Sequence, residues 1–250
     1  MTTDLTWLSR TKLLIGEEAL QRLAQAHVMV VGLGGVGSYA AEFIARSGVG
    51  KMTIIDGDVV DPTNRNRQLP ALATNHGQSK ALIMAERLQA INPELELEVI
   101  REFISPARVE EQLNRLRPSY IIDAIDSITP KITFIKLAVE SGLPLVSSMG
   151  AGGKLDPTRL QVVDLSETYN CPFAHQVRKQ LKRHYGIRKG IKVVFSPEES
   201  IRESLMLTDG KNYKKSAYGT VSYLPAVFGA VAASVVIRDL MHPHRKKKKK

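Results

Sequence analysis

Val28-Met-Val-Val31 runs directly into Gly32-Leu-Gly-Gly-Val-Gly37-Ser38, and this junction limits the folds open to the chain more than any other feature. A β-branched run that closes on Gly32, Gly34 and Gly37 and continues into small and apolar residues reads as strand, tight turn, helix. Glycine at these points lets the turn close, lets backbone approach a phosphate, and lets the helix pack tightly on the strand. The new helix then offers unpaired N–H groups and the positive end of its dipole to an anion. A close-packed turn without a ligand is the competing reading, and the strand and helix on either side disfavour it.

The same alternation continues along the chain. Strands are expected at Val28–Val31, Lys51–Ile55, Glu96–Ile100, Tyr120–Asp123 and Pro144–Ser147. Helices are expected at Val36–Ser47, Ser79–Ile91, Pro106–Arg117 and Lys131–Ser141. Strands and helices in this order predict an α/β fold, a Rossmann-like and mostly parallel sheet with helices on both faces. An N-terminal helix is expected over Leu5–Ala26, with Leu13, Leu14, Leu20 and Leu23 on its apolar side. After Gly150–Lys154 breaks the rhythm, further strands are expected at Leu160–Leu165 and Ile191–Phe195. Between them lies a mostly helical basic stretch, Asn170–Lys192, and Ser196–Ala217 reads as a polar loop. Residues 1–240 are expected to form one domain, with a basic segment at about 170–217, and 241–250 a basic disordered tail.

Composition removes some classes of protein. The chain has 250 residues, 43% hydrophobic and 24% charged, enough for a full core and unlike a disordered protein. The single cysteine, Cys171, excludes an intramolecular disulfide framework and any zinc site built on cysteine pairs. Of the +10 net charge, six units come from the run Arg245–Lys250, which leaves +4 on the rest. That balance permits a polyanionic partner without requiring one. Met1–Arg10 has no long apolar stretch of the secretory kind, so a cytoplasmic location is expected. Ser216–Ile237 carries no charge and is long enough to span a bilayer, but its glycines and Pro225 favour a buried helix following a strand. The basic tail behind it would also suit an anionic membrane surface.

The residues after the glycine turn narrow the ligand. Asp56, 24 residues beyond Gly32 and at the end of the second strand, is placed to bind ribose hydroxyls. A nicotinamide dehydrogenase would share those features. Asn64-Arg65-Asn66-Arg67-Gln68 then adds guanidinium and amide groups, and Lys80 opens the next helix. Attack at the α-phosphorus of a triphosphate calls for such extra positive charge, which Arg67 and Lys80 would supply. Asp126, at the end of a later strand, is suited to hold Mg²⁺ or to contact the nucleotide through water.

The array Gly32-Leu-Gly-Gly35-Val-Gly37, Asp56-Gly-Asp58, Asn64-x-Asn-Arg67-Gln68, Gly77-x-x-Lys80 and Asp126 resembles the adenylating domain of the ubiquitin-activating, ThiF and MoeB superfamily. The resemblance implies an ATP-dependent, ligase-like enzyme that forms an acyl-adenylate, releases pyrophosphate and works as a homodimer. Carried over by position, Asp56 would bind ribose, Arg67 and Lys80 the phosphates, and Asp126 the magnesium or the reacting phosphate. Arg10 resembles the arginine that this superfamily extends across the dimer to the partner's ATP. Members that activate carrier proteins usually carry paired CxxC motifs for zinc. This chain has none, so no zinc is expected, and Cys171 reads as an ordinary small residue.

A narrower resemblance rests on Asp123-Ala-Ile-Asp-Ser-Ile-Thr-Pro-Lys131, Gly150-Ala-Gly-Gly-Lys-Leu-Asp-Pro-Thr158 and Cys171-Pro-Phe-Ala-His-Gln-Val-Arg-Lys-Gln-Leu-Lys182. Over about Leu8–Leu240 the chain is similar to the bacterial tRNA threonylcarbamoyladenosine dehydratase family. That similarity implies tRNA modification by carboxylate adenylation and ring closure. It allows a monovalent cation and sulfur-transfer proteins as partners. The charge pattern supports a tRNA partner separately. Arg178, Lys179, Lys182, Arg183, Arg188, Lys189 and Lys192 fall within 15 residues that hold no acid, with His184 and Tyr185 among them. Lys211, Tyr213, Lys214 and Lys215 form a second cluster. RNA binding uses both backbone neutralisation and ring stacking, although such a helix can also be merely a solvated face. Adenylation of a sulfur-carrier or ubiquitin-like protein is the second functional reading. A dehydrogenase and a non-catalytic RNA-binding module follow.

Overall fold

A computed structural model describes residues 6–103, 105–207 and 216–242. The second basic cluster at 211–215 and the terminal run Arg245–Lys250 therefore lie outside the described residues. In chain order the main elements are α1 (Ser9–Ile15), α2 (Glu17–Gln25), β1 (His27–Val31), α3 (Gly37–Arg46), β2 (Lys51–Ile55), α4 (Lys80–Ile91) and β3 (Glu96–Ile100). They continue with α5 (Pro106–Leu116), β4 (Tyr120–Asp123), α6 (Ile128–Glu140), β5 (Leu145–Ser148), β6 (Gln161–Asp164), α7 (Pro172–Tyr185) and β7 (Lys192–Phe195). A short pair, β8 (Leu205–Leu207) and β9 (Ser216–Tyr218), precedes the last helix, α8 (Tyr223–Met241).

Seven strands form one sheet in the order β3-β2-β1-β4-β5-β7-β6, parallel throughout except for β6, which runs antiparallel to β7. Alternate side chains of each strand enter different cores, as the two-residue repeat requires. Val28 and Val30 of β1, with Ile54, Ile122 and Val194, pack on one face against α3, α4 and α8. Met29 and Val31, with Ile55, Ile121 and Val193, pack on the other against α5, α6 and α7. Both faces are covered, which explains adjacent apolar residues such as Val28–Val31, Ile54-Ile55, Ile121-Ile122 and Val193–Phe195. The expected fold class is confirmed.

The departures from expectation are local. The N-terminal segment is not one helix: Gly16 adopts φ +82° between α1 and α2, and the acids Glu17 and Glu18 restart the helix at its N-terminus. Leu20 and Leu23 are buried as expected, but Leu13 and Leu14 are 87% and 86% exposed. The basic stretch Asn170–Lys192 is helical only to Tyr185, where Gly186 enters the left-handed region at φ +67° and stops α7. The 196–217 stretch, expected as a loop, carries a turn of 3₁₀ helix at Arg202–Ser204 and the strands β8 and β9.

The uncharged C-terminal segment is a strand followed by a helix. Among the described residues α8 is the helix long and apolar enough to cross a membrane, and here it lies on the sheet with Leu224, Phe228, Ala232, Val235 and Val236 buried. Its far end is fixed by Asp239, which accepts from the Tyr120 hydroxyl at 2.7 Å and pairs with Lys192. Burial, and then that carboxylate, push the Tyr120 phenol well above its ordinary range. Its near end backs the glycine turn. A Cβ at Gly229 would lie 2.4 Å from the Val36 carbonyl oxygen, and one at Gly35 would lie 2.9 Å from Cβ of Pro225.

Candidate active site

The strand order reverses between β1 and β4: β2 and β3 extend to one side, β5 and β7 to the other. Open α/β sheets bind ligands at the carboxyl ends of the strands beside such a switch point. Here the chain forms a cleft of about 700 Å³ over those ends. The three strand ends are tied together, because the Gly32 N–H donates to Ile55 O at 2.8 Å and the Ala124 N–H to Val31 O at 2.9 Å.

The glycines divide the work of the turn. Gly32 holds φ +86°, and a Cβ there would sit 2.9 Å from the Ala124 carbonyl oxygen. A Cβ at Gly37 would fall 1.7 Å from the Gly32 carbonyl oxygen, so Gly37 is a packing glycine and does not line the cleft. Gly34 faces open space: a Cβ there would have Nε2 of Gln68 as its nearest neighbour, at 3.8 Å. Gly32, Gly34 and Gly35 line the cleft and leave bare backbone for an anion.

Asp56 accepts from the Leu33 N–H at 2.6 Å and from the Asp58 N–H at 2.7 Å, which fixes both its oxygens at the end of β2. Burial raises its carboxyl above the usual range, against the pull of the Lys80 charge and those two N–H groups. Lys80 is 4% exposed and pairs with Asp58 at 3.1 Å. The half-buried Arg67 donates to Thr63 O at 3.0 Å and to Oδ1 of Asn66 at 2.8 Å. Burial lowers its guanidinium, and the charges of Asp126 and Asp61 oppose that. Gln68 also lines the cleft, with its Oε1 buried and unpartnered. Asn64 does not line it: its Oδ1 accepts from the Asp61 N–H at 3.1 Å, capping the turn that delivers Arg67.

Asp126 is exposed at the cleft and stands past the end of β4, in the loop before α6, rather than on the strand. That loop is clamped by the two end residues of the Asp123–Lys131 motif, to which the sequence assigns no role. Asp123 and Lys131, both 0% exposed, are 2.9 Å apart. Asp123 accepts from the Ile125 N–H at 3.0 Å and the Ser147 hydroxyl at 2.7 Å, while Lys131 donates to Ile125 O at 2.9 Å. Both polar backbone groups of Ile125, the residue preceding Asp126, are thus held. Burial depresses the Lys131 ammonium, and Asp123 opposes that shift.

The other half of the cleft, over β4 and β5, was not expected from the sequence. It is lined by the 148–152 stretch, Lys154, Cys171, Phe173, Gln176 and Tyr218. Lys154 is 2% exposed and donates to Ser196 O at 2.6 Å and Glu198 O at 2.7 Å, and burial lowers its ammonium. Cys171 is buried at the N-cap of α7. A signal for this half was present in Gly150-Ala-Gly-Gly153, a second glycine turn directly after a strand.

Other expected positions lie away from the cleft. Arg10 is exposed on α1 and does not line its own protomer's cleft. On α7, Lys179, Lys182 and Arg183 are exposed, whereas Arg178 is bound to Thr168 through its carbonyl at 2.6 Å and its hydroxyl. Arg188 and Lys189 are exposed in the loop after the helix, and Lys192 is taken by Asp239. Among the described residues no group of three or more His, Cys, Asp or Glu is placed to hold a metal ion.

The ThiF family model matches residues 8–250. The chain is 41% identical over 247 residues to the tRNA threonylcarbamoyladenosine dehydratase of Escherichia coli, covering 92% of each chain. It is 41% identical over 240 residues to the enzyme of the same name from Bacillus subtilis, covering 93% of this chain and 94% of the relative. The E. coli dehydratase, solved in complex with ATP, superposes with a TM-score of 0.88 at 40% identity over 97% of both chains.

Proposed function

The chain belongs to the ThiF family, and from that premise we propose that it is an ATP-dependent tRNA threonylcarbamoyladenosine dehydratase. What carries the reading is the match, over more than nine-tenths of both chains, to two enzymes of that activity. Adenylation of a sulfur-carrier protein, the second reading from the sequence, is not favoured by those relatives.

The reaction proceeds in two steps. A carboxylate oxygen of the threonyl group on the modified adenosine attacks the α-phosphorus of ATP, and pyrophosphate leaves. The neighbouring carbamoyl group then closes on the activated carbonyl, and AMP departs with the oxygen that the carboxylate contributed. One water is lost overall and a ring forms. Closure is intramolecular, so positioning supplies much of the rate and no enzyme nucleophile is required.

The cleft supports a role for each residue. The bare backbone at Gly32, Gly34 and Gly35 receives the phosphates, and Asp56 the ribose hydroxyls. Arg67 and Lys80 line the same cleft and neutralise charge that develops on the phosphate in the transition state. The donor set fits magnesium: Mg²⁺ is usually held by one or two carboxylates together with substrate phosphates, and Asp126 is an exposed carboxylate of the cleft lining. Such an ion, when bound, supplies further neutralisation of the triphosphate. The enzyme works as a homodimer in the cytoplasm, with Arg10 reaching the partner's nucleotide. Its exposed position on α1, beside the exposed Leu13 and Leu14, supports that arrangement. Lys179, Lys182 and Arg183 on α7 receive the tRNA backbone, joined by Arg188 and Lys189 after it.

The test is incubation of the purified protein with ATP, Mg²⁺ and tRNA bearing threonylcarbamoyladenosine, with nucleosides read by mass spectrometry under mild conditions. Loss of one water that requires ATP and disappears in Lys80→Ala is the expected result. An unchanged nucleoside, with pyrophosphate exchange only when a carrier protein is added, would reverse the order of the two readings.

A further inference from the structure

The half of the cleft over β4 and β5 differs in chemistry from the nucleotide half. Its floor includes Gly150, Ala151 and Gly152, and two aromatic side chains lie against the backbone of the 150–153 turn. A Cβ at Gly150 would be 3.2 Å from Cβ of Phe173, and Cβ atoms at Gly152 and Gly153 would each be 2.9 Å from Tyr218. The turn is fixed from outside, since the Gly153 N–H donates to Gly219 O and the Ile201 N–H to Gly153 O, both at 2.8 Å. Phe173 is also held from behind, with the fully buried Lys131 ammonium 5.7 Å from its ring centroid. Both rings are half-buried and both line the cleft.

Both rings and the turn border the open cleft. The charged side chain on the described lining of this half is Lys154, and its ammonium is engaged by the Ser196 and Glu198 carbonyls. A neutral planar group suits these surroundings better than a second polyanion. Enzymes acting on a base within folded RNA take it out of the stack and hold it against aromatic or apolar side chains. Resting on the functional reading above, we propose that Phe173 and Tyr218 form a stacking slot for the purine of the modified nucleoside. The purine lies over the 150–153 turn, and its carboxylate-bearing arm extends toward Arg67 and Asp126. The pair Asp123–Lys131 then serves both halves, clamping the loop that carries Asp126 and supporting the ring that carries the base.

The test compares wild type, Phe173→Ala, Phe173→Trp and Tyr218→Ala by steady-state kinetics on the modified tRNA and by direct titration with ATP. The expected result is a KM for tRNA raised about 5- to 150-fold in Phe173→Ala, the range for losing one base stack. ATP affinity stays at the wild-type level, and Phe173→Trp restores KM to near wild type. Tyr218→Ala gives the same split and serves where Phe173→Ala does not fold. Wild-type conversion with an unchanged KM for tRNA in both alanine variants overturns the slot alone, as does ATP affinity falling in step with KM. A wild-type protein that leaves the modified nucleoside unchanged overturns the functional reading, and the occupant of the slot with it.

Discussion

Gly34 and Gly37 lie three residues apart in one turn, yet their replacement by alanine has opposite consequences. At Gly34 the new methyl meets nothing nearer than 3.8 Å and the backbone is not in the left-handed region, so the fold accepts it. Its stability should change by no more than about 1 kcal/mol in either direction. The methyl would enter the cleft, however, where the proposed function puts the triphosphate against the backbone N–H groups of the turn. Loss of one charge-assisted hydrogen bond, about 1.5–3 kcal/mol, weakens ATP binding roughly 10- to 150-fold. At Gly37 the methyl falls 1.7 Å from the Gly32 carbonyl oxygen and 3.1 Å from Cβ of Ala124, so the turn itself must move. Overpacking of that kind costs roughly 1–3 kcal/mol or more, a fall in Tm of about 2–12 °C at this chain length. Calorimetric titration with ATP and thermal melts on both variants separate the two effects. A Gly34→Ala protein that binds ATP like wild type would refute the placement of the triphosphate against this turn, and a Gly37→Ala protein that melts like wild type would refute the geometry of the turn.

Three further outcomes are expected. Lys131→Met leaves Asp123 buried without its ion-pair partner, so urea denaturation should show a loss of about 3–5 kcal/mol, much of it recovered in Lys131→Met/Asp123→Leu. His27, whose Nε2 is 2.9 Å from Oγ1 of Thr53, has its pKa lowered by burial and then by the Lys51 charge. The unfolded chain therefore takes up that proton first: the contribution is intact above the ordinary value of 6.5 and is lost as pH falls through 6.5 toward the lowered folded value. Melts of wild type and His27→Gln should converge on acidification. Replacing Lys179, Lys182 and Arg183 by Ala should reduce the salt dependence of tRNA binding by roughly 0.7–0.9 in log–log slope for each phosphate no longer neutralised. ATP affinity in that variant should not change.

Much of the fold was legible because a parallel sheet covered on both faces writes its strands as unbroken apolar runs, and each crossover helix has its own period. The grouping of Gly32, Asp56, Arg67, Lys80 and Asp126 around one cleft was legible because these residues sit near strand ends and helix starts, where spacing is constrained. Side chains whose role depends on distant parts of the chain were not legible in this way. Leu13 and Leu14 read as core because their spacing is helical, but Gly16 ends α1 and leaves them on the surface. Lys131 reads as the start of a helix and the end of a motif, with no role of its own; its burial against Asp123 at the end of β4 is announced by no local pattern. Asn64 and Arg178 carry ligand-binding chemistry in the sequence, and the structure gives them a cap and a tether instead. The stacking side of the cleft brings together α7, the 150–153 turn and β9, segments far apart in sequence.

The adenylation route itself can be followed atom by atom. If the threonyl carboxylate attacks the α-phosphorus and ring closure then breaks the acyl C–O bond, one carboxylate oxygen must end on AMP. Modified tRNA carrying heavy oxygen in that carboxylate, incubated with the protein and unlabelled ATP, should give AMP with one heavy oxygen for each nucleoside cyclised. Unlabelled AMP, or ADP and phosphate as the products of ATP, would contradict the account.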